Sequence, residues 1–117
     1  ESKARSLSES VPNSTGYGLS SLPELLPEAD IIVNTTSVGM KTDISLIPET
    51  FLHSDLVVMD AVYRPLQTRL LREAKDSGAL TIDGVWMLLY QGVEAFEIWT
   101  GKKAPVNAMN KAVRSQL

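Results

Sequence analysis

Cysteine is absent from the 117 residues, which excludes disulfides, thiolate metal sites and a cysteine nucleophile. The absence suits a reducing compartment, and the expected location is cytoplasmic. Histidine is nearly as scarce. His53, in FLHSD, is the only one; without partner ligands at metal spacing it reads as an ordinary loop residue, and no metal is expected. Long apolar runs are lacking, since none approaches the roughly 20 residues of a membrane span. Basic charge is also short: the formal net charge is −3, which gives no support for a general nucleic-acid or anionic-membrane binder. Neither a starting methionine nor a signal-peptide pattern opens the chain, and the expectation is that it begins inside a longer protein.

A hydrophobic content of 44% is sufficient for one ordinary core. In DIIVNTTSVGM, Ile31, Ile32 and Val33 form a continuous β-branched run, the composition of a strand buried on both faces. SDLVVMDAVY repeats the pattern, and ALTID supplies a shorter third strand. Thr68 can cap a helix through Leu70, Leu71 and Ala74, with Gly78 as its left-handed stop. A short strand is expected around Tyr17 to Leu19, helical turns at Pro23 to Leu26 and Pro48 to Leu52, and a last helix from Pro105 through Val113. ESKARSL reads as the tail of a helix. The alternation predicts an α/β fold with a parallel, doubly wound sheet, part of a Rossmann-type architecture.

DGVWMLLYQGVEAFEIWTG is the longest apolar helix. Helical spacing puts Val85, Leu88, Leu89, Gly92, Ala95, Phe96 and Trp99 on one buried stripe, with Met87, Gln91, Glu94 and Ile98 roughly opposite. In doubly wound sheets ligands bind beyond the carboxyl ends of the strands. Three loops would meet there: NTTSVG, DAVYRP and the Asp83–Gly84 pair that leads into the long helix. Asn34, Thr35, Thr36 and Ser37 either offer donors to ribose or phosphate oxygens or simply form a turn. Tyr63 either faces the ligand edge, aimed by Pro65, or packs its ring. Gly84 permits close backbone approach or a turn. The Gln91 amide, with donor and acceptor together, suits a hydroxyl-bearing ligand and is expected at that edge. Arg64 and Arg69 either attract an anion or are surface charges. Glu94 and Glu97 read as a solvated face without an acid/base role.

The ordered segments DIIVNTTSVGM, DAVYRPLQTRLLREAKDSG and IDGVWMLLYQGVEAFEIWTG resemble the C-terminal part of the shikimate dehydrogenase family over nearly the whole chain. The resemblance implies NADPH-dependent reduction of 3-dehydroshikimate to shikimate in aromatic amino-acid biosynthesis. It implies that Tyr63 and Gln91 contact the substrate. It also implies that Ala61 and Gly84 lie beside NADP, that Met87 lines the nicotinamide pocket, and that Thr36 and Ser37 lie near adenosine and the linking phosphates. Residues 1–117 would then be the C-terminal portion of the NADP-binding domain. The glycine-rich phosphate turn and the substrate domain, with its catalytic Lys and Asp, would lie upstream, so no catalytic residue is expected here and the missing N-terminal part is the expected partner. Thr35, where the family commonly has Ala, and Ala61, where a larger apolar residue is frequent, depart from the pattern. A non-catalytic interaction fragment and a quinate-type dehydrogenase are the alternatives.

Overall fold

Two β-branched runs, each closed by a polar residue, build the sheet. In the computed structural model, which describes residues 1–117, β1 (Ile31–Asn34), β2 (Val57–Asp60) and β3 (Leu80–Ile82) are parallel and ordered β1-β2-β3. Ile32 pairs with Val58 and Asn34 with Asp60, so these four residues share one face of the alternating strands. The remaining elements are α1 (Ser2–Ser8), α2 (Leu22–Leu25), α3 (Arg69–Asp76), α4 (Gly84–Thr100), α5 (Val106–Arg114) and three short 3-10 turns.

Helix α3 covers the Ile32–Val58 face because its apolar residues fall at helical spacing: Leu70, Leu71 and Ala74 are buried with Leu56, Val58, Ile32, Leu26 and Leu52. Its ends follow from local chemistry. The Thr68 hydroxyl accepts from the Leu71 amide at 3.4 Å. At the other end Gly78 adopts φ 85°, and the amides of Gly78 and Ala79 donate to the carbonyls of Lys75 and Ala74, a Schellman stop that requires the left-handed residue.

The opposite face departs from the expectation that β1 is buried on both sides. Ile31 and Val33 are 64% and 50% exposed, and Leu80 on β3 is 64% exposed. The core cluster lies entirely on the other side of the sheet, so the β-branched run is covered once rather than twice. The strand expected near Tyr17 is also absent. Leu19–Ser21 is a 3-10 turn that runs straight into α2, with Pro23 in its first turn and no strand beside it to pair with.

Helices α4 and α5 form a hairpin turned at Gly101, φ 64°. Leu89, Val93 and Ala104 are its core, joined by Phe96, Val106 and Met109. The expected stripe therefore holds through Phe96 and fails at Trp99, which is 83% exposed, because α5 lies along α4 from its start only as far as Phe96. Glu97 is not simply solvated: its carboxylate accepts from the Ala104 amide at 2.9 Å and fastens the turn. With the hairpin projecting from the sheet, the radius of gyration is 16.4 Å, against about 13 Å for a compact chain of this length.

The bare sheet face carries a testable consequence. The 117-residue chain on its own should self-associate in sedimentation velocity, and the double variant Ile31→Lys, Leu80→Lys should remain monomeric at the same concentration. Monomeric behaviour of the unsubstituted chain would contradict this use of the exposed face.

Candidate functional site

The carboxyl edge of the sheet is organised by one buried carboxylate. Asp60 closes β2 with no solvent exposure, and burial of such a group is tolerable only when its oxygens are matched by donors. Three donors meet it. Asn34 Nδ2 and the Val62 amide donate to Oδ1, each at 3.0 Å, and Thr68 Oγ1 donates to Oδ2 at 2.7 Å. Asn34 ends β1, Val62 belongs to the loop after β2, and Thr68 caps α3. Asp60 thus ties the NTTSVG loop, the DAVYRP loop and the next helix to one point.

The NTTSVG loop is folded by its own side chains. The Thr36 amide and hydroxyl donate to Asn34 Oδ1 at 3.0 and 2.7 Å, and the Val38 amide donates to Thr36 Oγ1 at 3.1 Å. Asn34 and Thr36 therefore take the turn role that the sequence left open. Thr35 and Ser37 are exposed, and their hydroxyls make no hydrogen bond within the chain.

An open cleft of about 610 Å³ lies between the two loops, lined by Thr35, Thr36, Ser37, Met40, Lys41, Ala61, Val62, Tyr63 and Arg64. Its size falls in the range of small-molecule sites. Four of the sequence-chosen residues, Thr36, Ser37, Ala61 and Tyr63, meet in this cleft. Gly84 lies behind Ala61: a Cβ at position 84 would fall 2.4 Å from the Ala61 carbonyl oxygen. The first residue of α4 thus abuts the loop after β2 at a distance only glycine permits. Asp83 caps α4, its Oδ1 accepting from the Val85 amide at 3.0 Å. Met87 and Gln91 lie on the exposed face of α4, outside the cleft lining.

Sequence reasoning missed two features. Asp60 reads in the sequence as a residue that closes an apolar strand run and could cap, and only the register opposite Asn34 reveals its role. Met40 and Lys41, just beyond NTTSVG, line the cleft and were assigned nothing. Arg64 and Arg69 behave differently from each other. Arg64 lines the cleft and donates to the Gln116 carbonyl at 2.9 Å. Arg69 pairs with Glu73 one turn along α3, and that carboxylate raises the guanidinium pKa above its ordinary value; the charge is engaged on its own helix.

The family model described as the Shikimate 5'-dehydrogenase C-terminal domain matches residues 84–114, the α4–α5 hairpin. A shikimate dehydrogenase (NADP(+)) of Natronomonas pharaonis is 62% identical over 116 residues, 99% of this chain and 44% of that protein. Among solved structures, shikimate 5-dehydrogenase of Thermus thermophilus, in complex with NADP(H) and shikimate, aligns with a TM-score of 0.78 and 38% identity over 88% of this chain and 38% of its own. Quinate dehydrogenase of Corynebacterium glutamicum, in complex with NAD, aligns with a TM-score of 0.91 and 30% identity over 97% of this chain and 43% of its own. The chain spans less than half the length of the curated relatives it matches.

The Asp60 junction separates two kinds of substitution. Asp60→Ala strands the Asn34, Val62 and Thr68 donors and should cost about 3 kcal/mol or more in urea unfolding. Asp60→Asn keeps an oxygen for the two donors at Oδ1 and presents an amide to the amphoteric Thr68 hydroxyl, so it should cost about 1 kcal/mol. Equal costs for the two variants would contradict the junction.

Proposed function

We propose that this chain, which aligns in sequence and fold with the C-terminal part of shikimate dehydrogenases, supplies the nicotinamide and substrate contacts of an NADP-dependent shikimate dehydrogenase. The observation that carries the reading is the cleft between NTTSVG and DAVYRP at the carboxyl edge of a parallel sheet, with the start of α4 packed behind Ala61. That edge is where doubly wound sheets bind ligands.

The residues present fit a dinucleotide. Unused hydroxyls of Thr35 and Ser37 suit phosphate or ribose oxygens. Ala61 lines the cleft, Gly84 packs behind it against its backbone, and Met87 offers a soft apolar surface one turn further along α4. When bound, the nicotinamide would supply the hydride for reducing the carbonyl of 3-dehydroshikimate. This chain's own part is binding and orientation: the Tyr63 phenol and the Gln91 amide can each donate to and accept from ring hydroxyls, which fixes the face that the substrate presents. No residue here is assigned the proton transfer.

In the same reading, residues 1–117 form the C-terminal portion of the NADP-binding domain. A preceding segment of the protein would pair with the free edge of β1, cover the Ile31–Leu80 face, and bring the glycine-rich turn and the substrate domain. The protein acts on a small molecule, with NADP as cofactor, in the cytoplasm. The likeness to quinate dehydrogenase supports quinate as a second substrate to test.

The test uses the full-length protein that carries this segment. It should oxidise shikimate with NADP, followed by absorbance of the reduced nicotinamide. Gln91→Ala and Tyr63→Phe should each lower kcat/KM for shikimate about fivefold, the equivalent of one neutral hydrogen bond of about 1 kcal/mol. Higher kcat/KM with quinate reassigns the substrate. Absence of turnover with both, together with binding only to a protein partner, favours an interaction module instead.

A further inference from the structure

The α4–α5 hairpin has a core separate from that of the sheet, so its orientation depends on the contacts at its base. Val85 is fully buried there and Gly84 packs on the Ala61 backbone, while Arg114, in the last turn of α5, supplies the polar contacts to the cap and first turn of α4. Its Nη1 and Nη2 donate to Asp83 at 3.1–3.2 Å, and its guanidinium lies 5.3 Å from the centroid of the Trp86 ring. Trp86 stacks in turn on Tyr90 with centroids 6.1 Å apart. The Arg114 and Asp83 side chains are only 29% and 16% exposed, so the pair is sheltered from water. Two residues later the Gln116 carbonyl accepts from Arg64 at 2.9 Å. The end of α5 and the residues just after it are therefore fastened to the cap of α4 and to the neighbour of Tyr63.

We infer that Arg114 is a positioning residue for the ligand edge: by clamping Asp83 and Trp86 it sets the direction in which α4 leaves the sheet, and hence where Met87 and Gln91 stand relative to Tyr63. The inference rests on the proposed dehydrogenase reading. The chemistry favours arginine here, because a planar fork can bond one carboxylate through two nitrogens while lying against an indole, and a lysine ammonium does neither equally. Asp83 has two separable duties, capping α4 through Oδ1 and holding Arg114 through both oxygens.

The experiment uses the full-length protein with Arg114→Met, Arg114→Lys and Asp83→Asn, the last of which keeps a side-chain oxygen for the cap and removes the charge. Each is also placed in a Trp99→Phe background, and the spectrum of the matched protein carrying Trp86→Phe is subtracted, so that the difference reports Trp86. Arg114→Met should shift Trp86 emission and raise KM for shikimate about tenfold, equivalent to ~1.4 kcal/mol, while KM for NADP changes much less. Asp83→Asn should shift KM in the same direction, Arg114→Lys should restore only part of it, and the double variant Asp83→Asn, Arg114→Met should be no worse than Arg114→Met alone. Unchanged Trp86 emission, an unchanged shikimate KM, or a fall in melting temperature with equal loss toward both ligands would each overturn the inference. A wild-type protein with no shikimate or quinate turnover removes the proposed function and this inference with it; wild-type kinetics in Arg114→Met of an active parent removes the inference alone.

Discussion

The Asp60 carboxylate is the constraint on which the ligand edge depends. A parallel sheet brings strand ends together but does not determine how the loops beyond them fold, since each loop leaves its own strand independently. Here Asn34, Val62 and Thr68 come from three different segments and donate to one buried group. A buried carboxylate with unmatched oxygens is costly, so displacement of any one segment carries a penalty in the others. The cleft between NTTSVG and DAVYRP follows from that coupling. So does the exposure of Thr35 and Ser37, because the turn is already satisfied by Asn34 and Thr36.

The long helix is attached to this edge in a different way. Its first residue is a glycine pressed against the Ala61 backbone, its cap is Asp83, and its partner helix returns to grip that same cap through Arg114. Neither core cluster spans the junction between sheet and hairpin. Polar and steric contacts therefore act beside the burial of Val62 and Val85 in setting the angle at which α4 departs. Such contacts are directional, which suits the proposed role of Met87 and Gln91 on the exposed face of that helix.

Much of this was legible in the residues, and what was not has identifiable causes. Parallel strands follow from apolar runs of strand length separated by helical patterns, and α3 could be bounded at both ends because Thr68 and Gly78 act locally. In NTTSVG the residues leave turn and ligand contact open, and the hydrogen bonds give Asn34 and Thr36 to the turn. Burial on the second face of β1 did not follow, since a β-branched run reports what a strand can bury rather than what covers it; Ile31 and Val33 are exposed. Trp99 was misjudged for a related reason: helical periodicity extends a stripe to the end of a helix, but α5 stops short of it. The Asp60 junction and the Arg114–Asp83 clamp join residues 26 and 31 positions apart, and no local pattern encodes such pairs. Of the chosen ligand contacts, Thr36, Ser37, Ala61 and Tyr63 share one cleft while Met87 and Gln91 stand on the adjoining helix.

The central claim is that phenol, carboxamide and thioether serve a single ligand edge organised around Asp60. A crystal structure of the full-length protein with shikimate and NADP bound addresses it most directly. Tyr63 and Gln91 should both lie within hydrogen-bond distance of the hydroxy acid, with Met87 against the nicotinamide and the three donors still on Asp60. A hydroxy acid seated away from Tyr63 and Gln91, or a dinucleotide that avoids the Ala61–Gly84 contact, would contradict the account.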